Sequence, residues 1–335
     1  MRPGAEGAAA AAPRASMLLI AYNQAATIEA AIDGALAQDF DRLEIVISDD
    51  ASTDDTFARM TARVAGYRGP HRVVLNRNPR NLGIGAHLSH AASLCIGELL
   101  FVTAGDDVSL PHRVSRCMAA WEAHGKRIDL IAGWVEDVDA EGRVHDVLRP
   151  SDLAQWRSLA DWARERPYVI GAAQAWTRRL LDRFGPMPEG VVAEDLVMVF
   201  RAIAAGGAIT LPEPLVRYRR GGLSRRVRAR SADDVVTRLL KANRHSLVEL
   251  PLMLNDARRA GDAALEAVRP ELETQLARAT FTQRVFDAPG WAPALTAMAG
   301  ARGVPWGTRL RLLAYARARW SFAPWFALKR ALGRA

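Results

Sequence analysis

The chain has 335 residues, 50% of them apolar, enough to bury a full core and carry one catalytic-size domain with an appendage. A net charge of +8 and a pI of about 10.1 favour an anionic partner, yet no nucleic-acid-reading motif is present. No apolar stretch reaches the roughly 18 to 20 residues that a membrane span requires, so a soluble or peripheral protein is expected. Two cysteines, Cys95 and Cys117, lie on apolar stripes without metal-ligand spacing and read as buried thiols in a reduced compartment.

The first 14 residues are rich in Ala and Gly, with Arg2 and Arg14 flanking an alanine run too weakly apolar for a signal peptide, so a disordered leader is expected. Met17 to Ala21 predicts a strand ending at the polar residues Tyr22 and Asn23. Ile28, Ile32, Ala35 and Leu36 then repeat at helical spacing behind Thr27, a candidate cap. A second strand, Leu43 to Ile47, stops at Ser48, Asp49 and Asp50, and a helix marked by Phe57, Met60 and Val64 follows. Arg72 to Leu75 predicts a third strand, NRNPRNLG a polar turn, and Ile84, Leu88, Ala91 and Cys95 the next helix.

Leu99 to Val102 reads as a buried strand that Gly105 breaks just before two adjacent carboxylates, Asp106 and Asp107. Ser109 and Pro111 signal a helix start, continued by Val114, Met118 and Trp121. Two like charges side by side call for a cation, and hard oxygen donors favour Mg²⁺ or Mn²⁺ over zinc. On these residues alone, an Asp-rich turn that only caps the next helix is the competing reading. Alternating strands and helices imply an α/β fold with a Rossmann-like, mostly parallel sheet, and put all three polar clusters at one end of it. Open α/β sheets hold their ligands at that end, so a nucleotide pocket is expected. Gly83-Ile84-Gly85 lacks the third glycine of a dinucleotide fingerprint, since Leu88 stands there, and no Walker A sequence occurs.

From Ile128 onward the pattern changes to a hairpin turning at Glu141-Gly142. A polar helix near Ser151 to Arg164, the stretch Tyr168 to Ala175, and a helix carrying Trp176, Leu180, Leu181 and Phe184 are expected next. VVAEDLVMVFRAIAAGG then places Glu194 and Asp195 in the first turn of an apolar helix. The helix dipole favours acids there and would keep such a carboxylate ionised at neutral pH. After a strand over Pro214 to Tyr218, seven arginines fall between Arg217 and Arg230. From Ser231 the pattern is helical, broken at Pro251, Pro289, Pro293 and Pro305. The last 35 residues hold eight Lys or Arg and no acid, with Trp306, Trp320 and Trp325 interleaved, a composition suited to an anionic membrane surface or to a solvated basic helix.

LLIAYNQAATIEAAIDGALAQDF, EIVISDDASTDDT, NLGIGAHLSHAASLCIGELLFVTAGDDVSLPHR and VVAEDLVMVFRAIAAGG resemble, in order, the blocks of family 2 glycosyltransferases. The resemblance covers about residues 16–224 and implies a GT-A fold, to which the pattern from Ser231 adds a helical C-terminal region. It divides the chain into a leader (1–15), a nucleotide-sugar-binding half (16–128), an acceptor-binding half (129–230) and a basic helical region (231–335). It also implies that Ala21, Tyr22 and Asn23 hold the nucleobase, that Asp50 hydrogen-bonds it, and that Asn81 and Gly83 lie on the donor side. Asp106 and Asp107 match the DxD-type pair, with Asp107 as the direct ligand of Mg²⁺ or Mn²⁺ and Asp106 toward the ribose or a metal water. Asp195 matches the catalytic base, with Glu194 as the alternate, and Arg219 and Arg220 are candidates for the diphosphate.

The implied activity is inverting, non-processive transfer of one sugar, from a UDP-sugar by preference, to a glycan or lipid-linked acceptor in cell-surface glycan assembly. Cytoplasmic placement with contact at the inner membrane face is expected. Two departures stand out: the segment after Tyr218 lacks the histidine many relatives carry, and Ala316 stands where a Gln-x-x-Arg-Trp motif would need glutamine. The competing activities are a sugar-nucleotide nucleotidyltransferase, disfavoured by AYNQAAT where a Gly-rich loop is expected, and a catalytically silent nucleotide-binding relative.

Overall fold

Aliphatic runs without polar alternation form strands covered on both faces, and the first half of the chain is built from three of them. A computed structural model describes residues 13–139, 141–219 and 231–326. Strands β1 (Ala15–Ala21), β2 (Leu43–Asp49), β3 (Arg72–Arg77) and β4 (Leu99–Ala104) lie parallel, β1 at their centre between β2 and β4. Side chains alternate along β1: Leu18 and Ile20 enter one core, Met17 and Leu19 the other. Helices α1 (Ile28–Leu36), α2 (Thr56–Ala65) and α4 (Arg113–Ala123) add to the second core, and α3 (Ile84–Leu94) to the first. The expected parallel α/β half is therefore present, each strand running two or more residues longer than its apolar run.

The second half of the sheet is mixed. Strand β8 (Ala175–Thr177) pairs antiparallel with β4 and with β6 (Leu130–Val138), and β9 (Ala208–Arg219) runs parallel to β6. The two-residue β5 (Val108–Ser109) joins the far side of β9, and β7 (Val144–Leu148) forms the expected hairpin with β6. Ser109, expected to open a helix, is therefore a strand residue, and α4 begins four positions later. The polar helix expected near Ser151 is split into a 3₁₀ turn at Leu153–Gln155 and helix α5 (Leu159–Arg164), which Ser158 and Asp161 open as a capping box. Trp176 lies on β8, paired with Leu100 of β4 and Leu130 of β6, rather than on the helix that follows, α6 (Arg178–Phe184), and its buried indole N–H donates to Gln174 Oε1 at 2.9 Å.

Helix α7 (Glu194–Ala205) ends at Gly206 as expected and packs on α8 (Ala232–Ala260). Pro251 does not break α8, and Pro270 sits inside α9 (Asp262–Asp287). Each proline removes one backbone donor, but Leu250, Met253 and Leu254 of α8 and Leu265, Val268 and Leu272 of α9 bury into the core beside α7, and that packing outweighs the loss. Arg201 of α7 and Asp256 of α8 form a fully buried ion pair at 2.7 Å, with Arg201 also donating to the Gly185 carbonyl at 2.9 Å. Helices α10 (Trp291–Gly300) and α11 (Trp306–Arg317) pack instead on the end of α9, in a separate small core of Phe281, Val285, Ala294, Val304 and Leu312.

Candidate active site

The carboxyl ends of β2, β1 and β4 are tied together beyond their strands. Asp50 N–H donates to the Ala21 carbonyl and Gly105 N–H to the Ile20 carbonyl, both at 2.9 Å. Gly105 has no room for a side chain, since a Cβ there would sit 2.5 Å from Gln24 Oε1 and 2.8 Å from Ala21 Cβ. Thr27 does not cap its own helix as expected. Its hydroxyl donates to the Gly105 carbonyl at 2.8 Å, fastening the start of α1 to the loop that carries Asp106 and Asp107.

Tyr22 is 45% exposed at the tip of β1, an aromatic ring open to solvent on an otherwise polar rim. Asn23 and Ala51, one after each strand, adopt positive φ of 52° and 59°, backbone strain of the kind that collects at functional loops. Asn23 Oδ1 accepts from Thr53 N–H at 2.8 Å, locking the two loops together. Asp50 is buried, and its carboxylate accepts from Asn78 Nδ2 (2.8 Å), Leu82 N (2.9 Å) and Gly83 N (3.0 Å). Gly83 N–H also donates to Asn81 Oδ1 at 3.0 Å. Asp50, Asn81 and Gly83 thus form one cluster in which Asp50 shapes the loop leading into α3.

Asp107 is buried behind this rim, and its Oδ1 accepts from the backbone N–H of Arg219 at 2.9 Å, where β9 ends. Burial and the charge of Asp106 push its carboxyl up to about 8, against the pull of that N–H and of Arg113 and Arg219. Asp106 is also raised, chiefly by burial. Arg113, quoted within the sequence block but given no role, is fully buried: it donates to the Val102 and Gln174 carbonyls at 2.7 and 3.0 Å and to Ser109 Oγ at 2.9 Å. A cation in the first turn of a helix opposes the macrodipole, and that anomaly was the available signal.

Gln174 connects this loop to the second carboxylate pair. Its carbonyl also accepts from Val102 N–H at 3.1 Å, and its side-chain Nε2 donates to the Asp195 carbonyl at 3.4 Å. Gly171 lies against the pair, where a Cβ would be 3.0 Å from Asp195 Cβ and 3.3 Å from Glu194 Oε1. Asp195 Oδ1 accepts from Leu196 N–H at 2.7 Å. Glu249, from α8, accepts from the N–H groups of Val192 and Ala193 at 2.8 and 2.9 Å and so anchors the turn entering α7. The dipole argument for an ionised pair fails here. Burial raises Glu194 well above the usual range, with the Asp195 charge adding to it, and burial also raises Asp195, with Glu249 contributing. Glu194 is buried whereas Asp195 is partly accessible.

Ala21, Tyr22, Asn23, Asp50, Asn81, Gly83, Asp106, Asp107 and Arg219 are gathered on or behind one rim, with Glu194 and Asp195 joined to it through Gln174. The Arg219 guanidinium donates to the Asp139 carbonyl at 3.2 Å, and Arg220 lies outside the described residues. Among the described residues no group of three or more His, Cys, Asp or Glu gathers to hold a metal ion. The Asp106 and Asp107 pair nevertheless fits Mg²⁺ or Mn²⁺, which bind through one or two carboxylates and take further oxygens from substrate phosphates and water. The thiols are not donors, as Cys95 and Cys117 are buried and pushed up to about 12.

Residues 16–174, which contain the ends of β1, β2 and β4 but not Glu194, Asp195 or Arg219, match the family model described as Glycosyl transferase family 2. That segment is similar to glycosyl transferase family 2. It is 29% identical over 240 residues to the succinoglycan biosynthesis protein ExoO of Rhizobium meliloti, a match covering 67% of this chain and 66% of ExoO. A relative from Bacillus subtilis, EpsE, is 32% identical over 112 residues, 33% of this chain and 40% of its own. The chain thus spans less than two thirds of either. The fold resembles that of S. aureus TarS 1-349, solved in complex with UDP-GlcNAc, with a TM-score of 0.58 at 16% identity over 96% of this chain and 92% of that one. It also resembles the mannosyltransferase PcManGT of Pyrobaculum calidifontis, solved with GDP-Man and Mn²⁺, with a TM-score of 0.52 at 20% identity over 94% and 88%.

Proposed function

We propose that this protein transfers a single sugar from a nucleoside-diphosphate donor, a UDP-sugar by preference, to a hydroxyl of a glycan or lipid-linked acceptor with inversion, in polysaccharide assembly. The observation that carries this reading is the hydrogen-bonded convergence of the β1, β2 and β4 ends inside the segment that matches the family. In this reading the Tyr22 ring stacks on the base, and Ala21 and Asn23 border it. Asp50 keeps the Asn81 to Gly83 loop in place and accepts from the base with its remaining lone pair. Asp107 holds Mg²⁺ or Mn²⁺, with Asp106 toward the ribose or a metal-bound water. Such an ion, when bound, neutralises the charge that builds on the departing diphosphate. Arg219 adds positive charge on the same side, and Arg220 is kept as a candidate for that role.

Asp195 serves as the base that removes the acceptor proton, because it is the accessible member of its pair and its raised pKa brings it nearer the working pH. Glu194 is the alternate. The polysaccharide setting follows the name of ExoO, a succinoglycan biosynthesis protein. The test is a panel of UDP-, GDP- and dTDP-sugars with Mn²⁺, read by thermal shift and by nucleoside diphosphate release. One donor is expected to stabilise the fold and to be hydrolysed slowly. Failure of every nucleotide sugar to bind, or release of pyrophosphate instead, would overturn the proposal.

A further inference from the structure

We propose that α10, α11 and the turn that follows them dock in the headgroup layer of an anionic lipid bilayer. The tryptophans show the asymmetry first. Of nine in the chain, the five before Trp291 are buried or half-buried, while Trp291, Trp306, Trp320 and Trp325 are all exposed. Trp320 is the most open, at 76%. Helix α10 presents Trp291 and Leu295 outward, one turn apart, and α11 repeats the arrangement with Trp306 and Leu310. In both helices an adjoining side is the one that packs, through Ala294 in α10 and through Leu312, Leu313 and Ala316 in α11. The outward apolar face is therefore additional to the face each helix needs for folding. Exposed tryptophan with leucine at a helix surface is the composition of interfacial helices, whose indole rings settle at the level of lipid headgroups.

Charge selects the lipid. From Ala288 to Phe326 there are five arginines and no carboxylate. Arg309 and Arg317 are used internally, donating to the carbonyls of Val304 and Met298 and of Val285, and Arg319 pairs with Asp233 at 2.9 Å. Arg302 and Arg311 are exposed beside the apolar faces. A cleft of about 370 Å³ between α9 and α10, lined by Leu276, Ala277 and Phe281, carries Arg284 and Arg302 against the single carboxylate of Glu273. No helix among the described residues is long and apolar enough to cross a membrane. An interfacial helix needs no such length, because its apolar face enters only the headgroup and upper acyl layer. Each basic residue near an anionic surface adds to the attraction, and salt weakens it.

The experiment is co-flotation of the full chain with vesicles of phosphatidylcholine alone and of equal parts phosphatidylcholine and phosphatidylglycerol, at low and high salt. Strong binding is expected only to the anionic vesicles and is expected to weaken with salt. The triple variant Trp291→Ser, Trp306→Ser, Trp320→Ser should bind them at least about tenfold more weakly. Arg302→Glu with Arg311→Glu should do the same and remove much of the salt dependence. These positions are exposed, so circular dichroism should show both variants folded. No wild-type binding to the anionic vesicles, or unchanged binding in either variant, overturns the proposal. So does light scattering that shows a dimer dispersed by the tryptophan variant together with no vesicle binding, which would make this face a contact between copies. The readout is independent of any donor sugar.

Discussion

Asp106 with Asp107 and Glu194 with Asp195 are both adjacent carboxylate pairs, both raised by burial, yet their surroundings differ. Positive charge surrounds the first: the Arg219 N–H bonds Asp107, and Arg113 and Arg219 pull against its upward shift. A third carboxylate, Glu249, stands near the second and raises both of its members. A pair held among cations and backbone donors can give up its protons when a metal ion binds and then share its negative charge with that ion. A pair crowded by further acid is poised to hold a proton and pass it on. One kind of residue, placed twice at the edge of one sheet, thus receives two roles from its neighbours.

The contrast breaks most visibly at Asp195. In Asp195→Asn, turnover should fall by about 10² to 10⁴, with donor affinity measured by calorimetry unchanged. Asp107→Asn should instead lose Mn²⁺-dependent donor binding and turnover together, the latter by about 10² to 10³. Equal effects of the two variants on donor binding would remove the distinction. The scaffold that separates the pairs can be tested through the buried ion pair of α7 and α8. Asp256→Ala leaves Arg201 charged and unpaired, and should destabilise by about 3–5 kcal/mol in chemical denaturation.

A smaller and sharper test is pH. Asp195 must be deprotonated to act, so turnover should fall as pH drops through a value above the usual Asp range. Glu249→Gln keeps an oxygen for the Val192 and Ala193 N–H groups and removes the negative charge, so the acid limb of the profile should move to lower pH. An unmoved limb would show that Glu249 acts only as an anchor.

The parallel half of the fold was legible because short aliphatic runs such as Met17 to Ala21, bounded by polar turn residues, read as strands covered on both sides. The acid pairs were legible too, because glycines and helix-start residues fixed their place at element ends. Long-range pairing was not. Nothing local to Arg113 says that it reaches the Gln174 carbonyl, nor does anything near Glu249 point to the start of α7. Local rules also misled where tertiary contacts outweighed them. Thr27 bonds Gly105 instead of capping α1, Pro251 is carried by packing within α8, and burial overrides the dipole at Glu194. Burial raises both pairs, and the charges that distinguish them come from residues distant in the chain, which a linear pattern does not contain.

The most direct measurement is a paired titration of Asp195→Asn and Asp107→Asn with the donor and Mn²⁺ by calorimetry, alongside single-turnover rates for each. Asp195→Asn is expected to bind the donor as the wild type does and to turn it over at least about a hundredfold more slowly, while Asp107→Asn binds poorly. Wild-type turnover in Asp195→Asn, or undiminished Mn²⁺-dependent binding in Asp107→Asn, would contradict the division of labour between the two pairs.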